Sequence, residues 1–250
     1  MKIIPIKTRI FVENEDLIAF VKNHIKRVPE NSVLVVTSKI VALSEGRTAV
    51  IKNEKDKERL IRAESQFALR TKYVWLTIRD NLVMASAGID ESNGNGKLIL
   101  LPHDSFKSAT FIRNKIRKIY GLKNLGVIIT DSRLLPLRNG TVGVALGYAG
   151  FKGLKYYSGK SDLFGRKFKF QRTDIADSLA TAAVVCMGEG NESIPLALIE
   201  NAPIEFTERV NRQELKIDPR EDVYQPLFEN IKKIPLHPEK KRSKTPKTKP

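Results

Sequence analysis

Cysteine is almost missing from this sequence: Cys186 is the sole example in 250 residues. One thiol excludes an internal disulfide framework and a cysteine-rich zinc site. Set among Ala182, Ala183, Val184 and Val185, it is expected to be a packed core thiol. Histidine is also scarce, with three scattered copies, so no zinc ligand set is offered. No apolar run approaches the roughly eighteen residues that a membrane span requires. The start, Met1-Lys2-Ile3-Ile4-Pro5, turns polar too soon for a signal peptide, and a cytoplasmic protein is expected. No internal repeat is present.

What the chain has in excess is positive charge. The formal net charge is +16, which points toward polyanionic partners. The excess is uneven: Glu239 to Pro250 carries Lys240, Lys241, Arg242, Lys244, Lys247 and Lys249 against one glutamate. That tail has no apolar residue to bury and is expected to be disordered, with weak contact to RNA or acidic partners as its functional reading.

The body reads as alternating short strands and amphipathic helices. Ile3, Ile4 and Ile6 predict a first strand, and Glu15 to Arg27 a helix with acids at its start. Ser32 to Val36 predicts a strongly apolar strand ending in Thr37-Ser38-Lys39. Those side chains suit either an anion or the cap of a short helix, Ile40 to Ser44. Glu54 to Arg70 predicts a surface helix, and Tyr73–Ile78 and Leu82–Ser86 a hairpin through Arg79-Asp80-Asn81. The hairpin feeds Ala87-Gly88-Ile89-Asp90-Glu91-Ser92-Asn93, whose crowded oxygen side chains suit either a solvated turn or a hard cation. Leu98–Leu101 predicts another strand. Ser108–Tyr120 predicts a helix with Phe111, Ile112, Ile116 and Ile119 inward and Arg113, Lys115, Arg117 and Lys118 outward.

Leu125 to Ser132 is the clearest strand and ends on Asp131-Ser132, a pair that sits either at the mouth of a site or in a plain turn. Val142 to Gly150 predicts a glycine-rich strand that backbone or ligand can approach closely. Gly153 to Ser161 ends like a phosphate loop. Five residues between its glycines instead of four, and no apolar strand before it, set that reading aside. Lys167–Gln171 predicts a basic strand, Thr173 a cap, and Asp174–Met187 a buried helix. Gly188-Glu189-Gly190-Asn191-Glu192 then repeats the acidic small-residue turn before a strand at Pro195–Ile199. Past Pro203 the chain is polar, with one weak amphipathic helix near Val223–Ile231.

Three acid-bearing turns or strand ends therefore recur in order. Together with Thr37-Ser38-Lys39-Ile40-Val41, Glu45-Gly46-Arg47, Val142-Gly143-Val144-Ala145, Asp162-Leu163-Phe164-Gly165-Arg166 and Ala176-Asp177-Ser178-Leu179-Ala180, the series resembles the coenzyme F420-0:gamma-glutamyl ligase family over residues 1 to 202. The resemblance implies an α+β fold of mainly antiparallel and mixed sheets with flanking helices, assembled as an intertwined homodimer. It divides the chain into a ligase-like domain at 1–202, an extension with a short helix at 203–233, and a basic tail at 234–250. It also implies a nucleotide- and metal-dependent ligase. GTP, or ATP, phosphorylates a carboxylate of the acceptor, and the amine of L-glutamate displaces phosphate to form an amide. Triphosphate and carboxylate repel one another, so two divalent ions, magnesium or manganese, are expected, with potassium as a further cation.

By the same resemblance Asp90 and Asp131 share one metal, Ser132 and Glu189 reach a second, and Asp90, Asp131 and Glu189 are the catalytic acids. Ser38, Lys39, Asn93 and the turn from Met187 to Ile194, with Gly188, Gly190 and Asn191, contact the nucleotide. The chain also departs from the family. Leu43 stands where members carry a second lysine. Arg133-Leu134-Leu135-Pro136-Leu137-Arg138 stands where members read Phe-Gly-Arg-Pro-Trp-Arg. Thr8-Arg9-Ile10-Phe11 stands where a Gly-Leu-Pro pattern is expected. These changes make a folate acceptor the alternative to F420-0. A nucleic-acid-binding protein on an inactive ligase scaffold is the alternative of another class.

Overall fold

The computed structural model describes residues 1–228. Its centre is a mixed five-stranded sheet ordered β1 (Lys2–Ile6), β12 (Leu196–Glu200), β2 (Ser32–Thr37), β8 (Leu125–Leu134) and β9 (Thr141–Ala149). Strands β1 (Lys2–Ile6) and β2 (Ser32–Thr37) are separated by helix α1 (Leu17–His24), capped by the Asp16 carboxylate on the amides of Ile18 and Ala19. Helix α2 (Ser38–Ser44) follows β2 without a break. An excursion of small elements comes next: β3 (Thr48–Ala49), α3 (Glu54–Ala63), the sheet β4 (Phe67–Arg70), β5 (Trp75–Arg79) and β6 (Leu82–Ala85), then β7 (Leu98–Ile99) paired back to β3. Helix α4 (Ser105–Tyr120) returns the chain to β8 (Leu125–Leu134), which pairs in parallel with β2. Strand β9 (Thr141–Ala149) turns back on β8. A two-stranded arm, β10 (Leu154–Tyr156) and β11 (Arg172–Asp174), precedes α5 (Ile175–Met187). Strand β12 (Leu196–Glu200) then inserts between β1 and β2, and α6 (Gln225–Phe228) ends the described chain.

The sheet is covered on both faces, which explains why β2 is a continuous apolar run with no polar face. Leu34 and Val36 pack with α1 and α4 on one side, while Val33 and Val35 pack with α5 and with Ala202, Ile204 and Leu215 on the other. The glycines of β9 serve this covering and not a ligand. A Cβ at Gly143 would lie 2.5 Å from the Ala180 carbonyl oxygen of α5, and one at Gly147 would lie 2.5 Å from the Ser105 carbonyl carbon of α4. The register shift between Ile129 and Thr130 separates the two approaches.

Several expectations are corrected. The helix from Glu54 ends at Ala63, and Phe67–Arg70 is strand β4, because its backbone finds a partner in β5 that the helical periodicity could not reveal. Leu98–Leu101 is a strand over only Leu98–Ile99. Lys167–Gln171 is not a strand: one bridge pairs Ser161 with Lys167, and regular pairing begins at Arg172. Asp174, not Thr173, caps α5, its carboxylate accepting from the Asp177 amide at 2.9 Å. On α4 the inward stripe is Ala109, Ile112, Arg113 and Ile116, leaving Phe111 and Ile119 exposed. Arg113 is buried because Nε donates to the Leu125 carbonyl at 2.8 Å and its terminal nitrogens pair with Glu208. Cys186 is exposed, since α5 turns Ala183, Val184 and Met187 inward and Cys186 away. The predicted tail, 234–250, lies outside the described residues.

Candidate active site

Parallel strands β2 and β8 end side by side, and in sheets of this kind ligands gather beyond the carboxyl ends of such strands. Ser38 opens α2 at the end of β2, buried, and its hydroxyl bonds the Asp131 carboxylate on β8. Next to it, Lys39 Nζ lies 2.7 Å from Asp90 Oδ2 and donates to Ser92 Oγ at 3.0 Å. Asp90 is held in place by two backbone bonds to Ile99 and by the Ser92 amide, which donates to its carboxylate at 2.6 Å. Four residues from three distant segments, Ser38, Lys39, Asp90 and Asp131, thus form one cluster.

The two acids of that cluster titrate in opposite directions. Burial pushes Asp131 up to about 6, and the nearby Asp90 charge adds to this while the Ser132 amide, the Ser38 hydroxyl and Lys39 oppose it. Burial works against ionisation of Asp90 as well, but Lys39 and the Ser92 amide overcome it and hold this carboxyl below its usual range. Two carboxylates share one ammonium, so the cluster is arranged for more positive charge than Lys39 alone supplies.

Adjacent to Asp131, Ser132 Oγ donates to Glu189 Oε1 at 2.6 Å. Glu189 belongs to the turn after α5. Gly188 there has φ +84°, and a Cβ on it would collide with the Glu192 carboxylate at 2.4 Å. Glu192 instead accepts from the Gly190 amide at 2.8 Å and braces the turn. The Thr8 amide donates to the Ser193 carbonyl and the Thr37 amide to the Pro195 carbonyl, fixing the turn beside the ends of β1 and β2. Asn93, with φ +55°, Gly190 and Asn191 are exposed on the flanking turns. Met187 is 2% exposed in the core under α5, which leaves only its backbone for a ligand.

Sequence reasoning missed one pair at this place. Arg133 reaches Asp177 on α5 at 3.2 Å, and Asp177 also takes the Ala145 amide at 2.9 Å, tying α5 to β8 and β9 beside Ser132. The available signal was Asp177 itself, an acid in a helix otherwise rich in alanine. Leu43, at the place of the second lysine, packs against the core beside α1, while Leu135 and Leu137 are exposed. Among the described residues no three His, Cys, Asp or Glu side chains form a metal cage. Two concavities, of about 710 and 310 Å³, lie elsewhere and contain none of these side chains.

Comparison with known proteins identifies the family. Residues 5–201 match the family model described as F420-0:Gamma-glutamyl ligase. A coenzyme F420:L-glutamate ligase of Methanococcus maripaludis (strain S2) is 36% identical over 217 residues, covering 85% of this chain and 86% of the relative. Its counterpart in Methanocaldococcus jannaschii is 35% identical over 199 residues, covering 78% and 79%. That of Methanothermobacter thermautotrophicus is 40% identical over 126 residues, half of each chain. The chain belongs to the F420-0:gamma-glutamyl ligase family and is an amide-bond-forming ligase.

Proposed function

We propose that this ligase adds L-glutamate to a carboxylate of coenzyme F420-0, using a nucleoside triphosphate and divalent metal, through an acyl phosphate. The observation that carries the reading is the convergence of Ser38, Lys39, Asp90, Asp131 and the Ser132–Glu189 pair at the carboxyl ends of β2 and β8. The donors are carboxylate and hydroxyl oxygens, which fit magnesium or manganese. Asp90 and Asp131 would hold one ion and Ser132 and Glu189 the other, with remaining positions left to water and phosphate oxygens. Bound there, the metal supplies neutralisation of phosphate charge.

An acceptor carboxylate oxygen attacks the γ-phosphorus, and nucleoside diphosphate leaves. The nitrogen of L-glutamate then attacks the acyl carbon, loses a proton, and inorganic phosphate departs. Lys39, drawn from Asp90, is placed to bind the triphosphate, and Ser38 holds Asp131 by its hydroxyl. The exposed turn from Gly188 to Asn191 would lie against the nucleotide, although the Gly188 and Gly190 amides are already taken by the Val184 carbonyl and the Glu192 carboxylate. The chain is read as a homodimer because Leu163, Phe164 and Phe170 on the arm beyond β10 and β11 stand almost fully exposed, an apolar tip that a second copy would cover.

The test is phosphate release from GTP or ATP with magnesium or manganese and L-glutamate, with F420-0 and tetrahydrofolate supplied separately. Release that requires glutamate and F420-0 supports the reading. Release with tetrahydrofolate alone transfers it to folate, and none with either acceptor overturns it.

A further inference from the structure

The end of the sheet opposite the ligase site has its own chemistry. There β2 and β8 begin, at Ser32 and Leu125, and the preceding segments bring Lys26, Arg27 and Lys123 to one surface. The end of α4 lies beside them, because the Tyr120 hydroxyl donates to the Ile25 carbonyl and joins the ends of α1 and α4. Both concavities open here: the smaller is lined by Asn114, Arg117, Lys118 and Leu122, and the larger runs from His24–Arg27 along edge strand β1.

Some cations elsewhere on the body are paired, as in Arg47–Glu64, Lys57–Glu91, Lys97–Glu13 and Lys152–Glu205, while others, Lys52 and Lys72 among them, are exposed and make no ion pair. Among the described residues Lys26, Arg27, Lys115 and Lys118 make no ion pair, although all four are exposed. Of the acids at this end, Glu30 accepts from the backbone amides of Lys123 and Asn124 and Glu208 is taken by Arg113 and Arg117, while Glu200 lines the larger concavity. On the same helix as Lys115 and Lys118, Phe111 is 53% exposed, with Lys115 Nζ 5.6 Å from its ring centre.

Unpaired cations beside an exposed aromatic ring are the elements of single-strand nucleic-acid binding: phosphates neutralised by lysine and arginine, a base stacked on the ring. We propose that this end of the protein binds single-stranded nucleic acid, as a function separate from the ligase site. Its concave, grooved surface favours a strand over a flat lipid bilayer.

The full chain is titrated with a labelled twelve-residue oligouridylate from 50 to 200 mM salt. Four neutralised phosphates at about 0.7 salt-slope each predict an affinity loss on the order of 50-fold over that range. Reversing Lys26, Arg27, Lys115 and Lys118 to glutamate is expected to lower affinity at least tenfold, with glutamate ligation unchanged. Reversing Lys52, Lys55, Arg59 and Lys72, at the far side, is the control for net charge and for the basic tail. Equal losses in the two variants overturn the proposal, as does binding to anionic phosphatidylglycerol vesicles without binding to the oligonucleotide. Phe111→Ala is expected to weaken binding at an unchanged salt slope, and affinity equal to the parent's would overturn the single-strand assignment.

Discussion

Asp131 combines two demands that conflict. Its carboxyl is raised to about 6, first by burial, against an ordinary value near 3.8. The folded state therefore holds this proton more tightly than the unfolded chain, so its contribution to stability is full below about pH 4 and is lost as pH rises through 6. Asp131→Asn removes the charge and keeps the shape. It is expected to leave the melting temperature at pH 7.5 unchanged or raised, while turnover falls at least about a hundredfold. Thermal melts and phosphate release on one preparation check both, and undiminished turnover rejects the metal assignment. Lys39→Met is the complementary case. Its ion pair with Asp90 is partly exposed, and such pairs contribute at most about 1 kcal/mol, so stability should hardly move. Nucleotide affinity, read by equilibrium dialysis, should fall at least about tenfold with the loss of a phosphate cation. These residue types were legible in the sequence, since glycine turns bearing acids point to hard cations. Their partners were not: the Ser38–Asp131 bond spans 93 positions and exists only because β2 and β8 run in parallel.

Elements were legible where one periodicity dominated. β2, β8 and α5 follow from uninterrupted apolar or alanine-rich runs. Phe67–Arg70 did not, because four residues match either period and only the backbone of β5 decides between them. Arg113 shows the same limit in a helix: charge predicts exposure, yet the Leu125 carbonyl and Glu208 draw it inward. That choice has a pH consequence. Arg113 first, and then Arg117, hold the Glu208 carboxyl down to about 2 against a burial effect of opposite sign. The pair therefore contributes stability above the ordinary glutamate range, lost as pH falls from about 4.5 toward 2. The Glu208 side chain is 66% exposed, so solvent screens the pair; Glu208→Gln should cost about 0.5–1 kcal/mol at pH 7, and the deficit should shrink at pH 3. Urea unfolding at the two pH values reads the difference.

At the scale of the molecule, charge and apolar surface are distributed in three places. Ser38, Asp90, Asp131 and the Ser132–Glu189 pair meet at one end of the sheet, Lys26, Arg27, Lys115 and Lys118 lie at the other, and the apolar arm tip projects from β10 and β11. Phe164, 95% exposed, is expected to be a dimer contact; Phe164→Asp should convert the dimer to monomer in multi-angle light scattering. Parent protein that is monomeric at micromolar concentration refutes the dimer. Among the described residues no helix is long and apolar enough to cross a membrane.

The sequence by itself determined the alternation of strands and helices, the surplus of positive charge and the acid-bearing glycine turns, because these depend on residue type and short-range periodicity. The order of the resemblance also carried the family. Tertiary structure decided which acids meet, which face of α4 is buried, that the β9 glycines admit helices, and that Cys186 faces outward. Each of these depends on groups far apart in the chain competing for one place, and that competition is settled only when the sheet has formed.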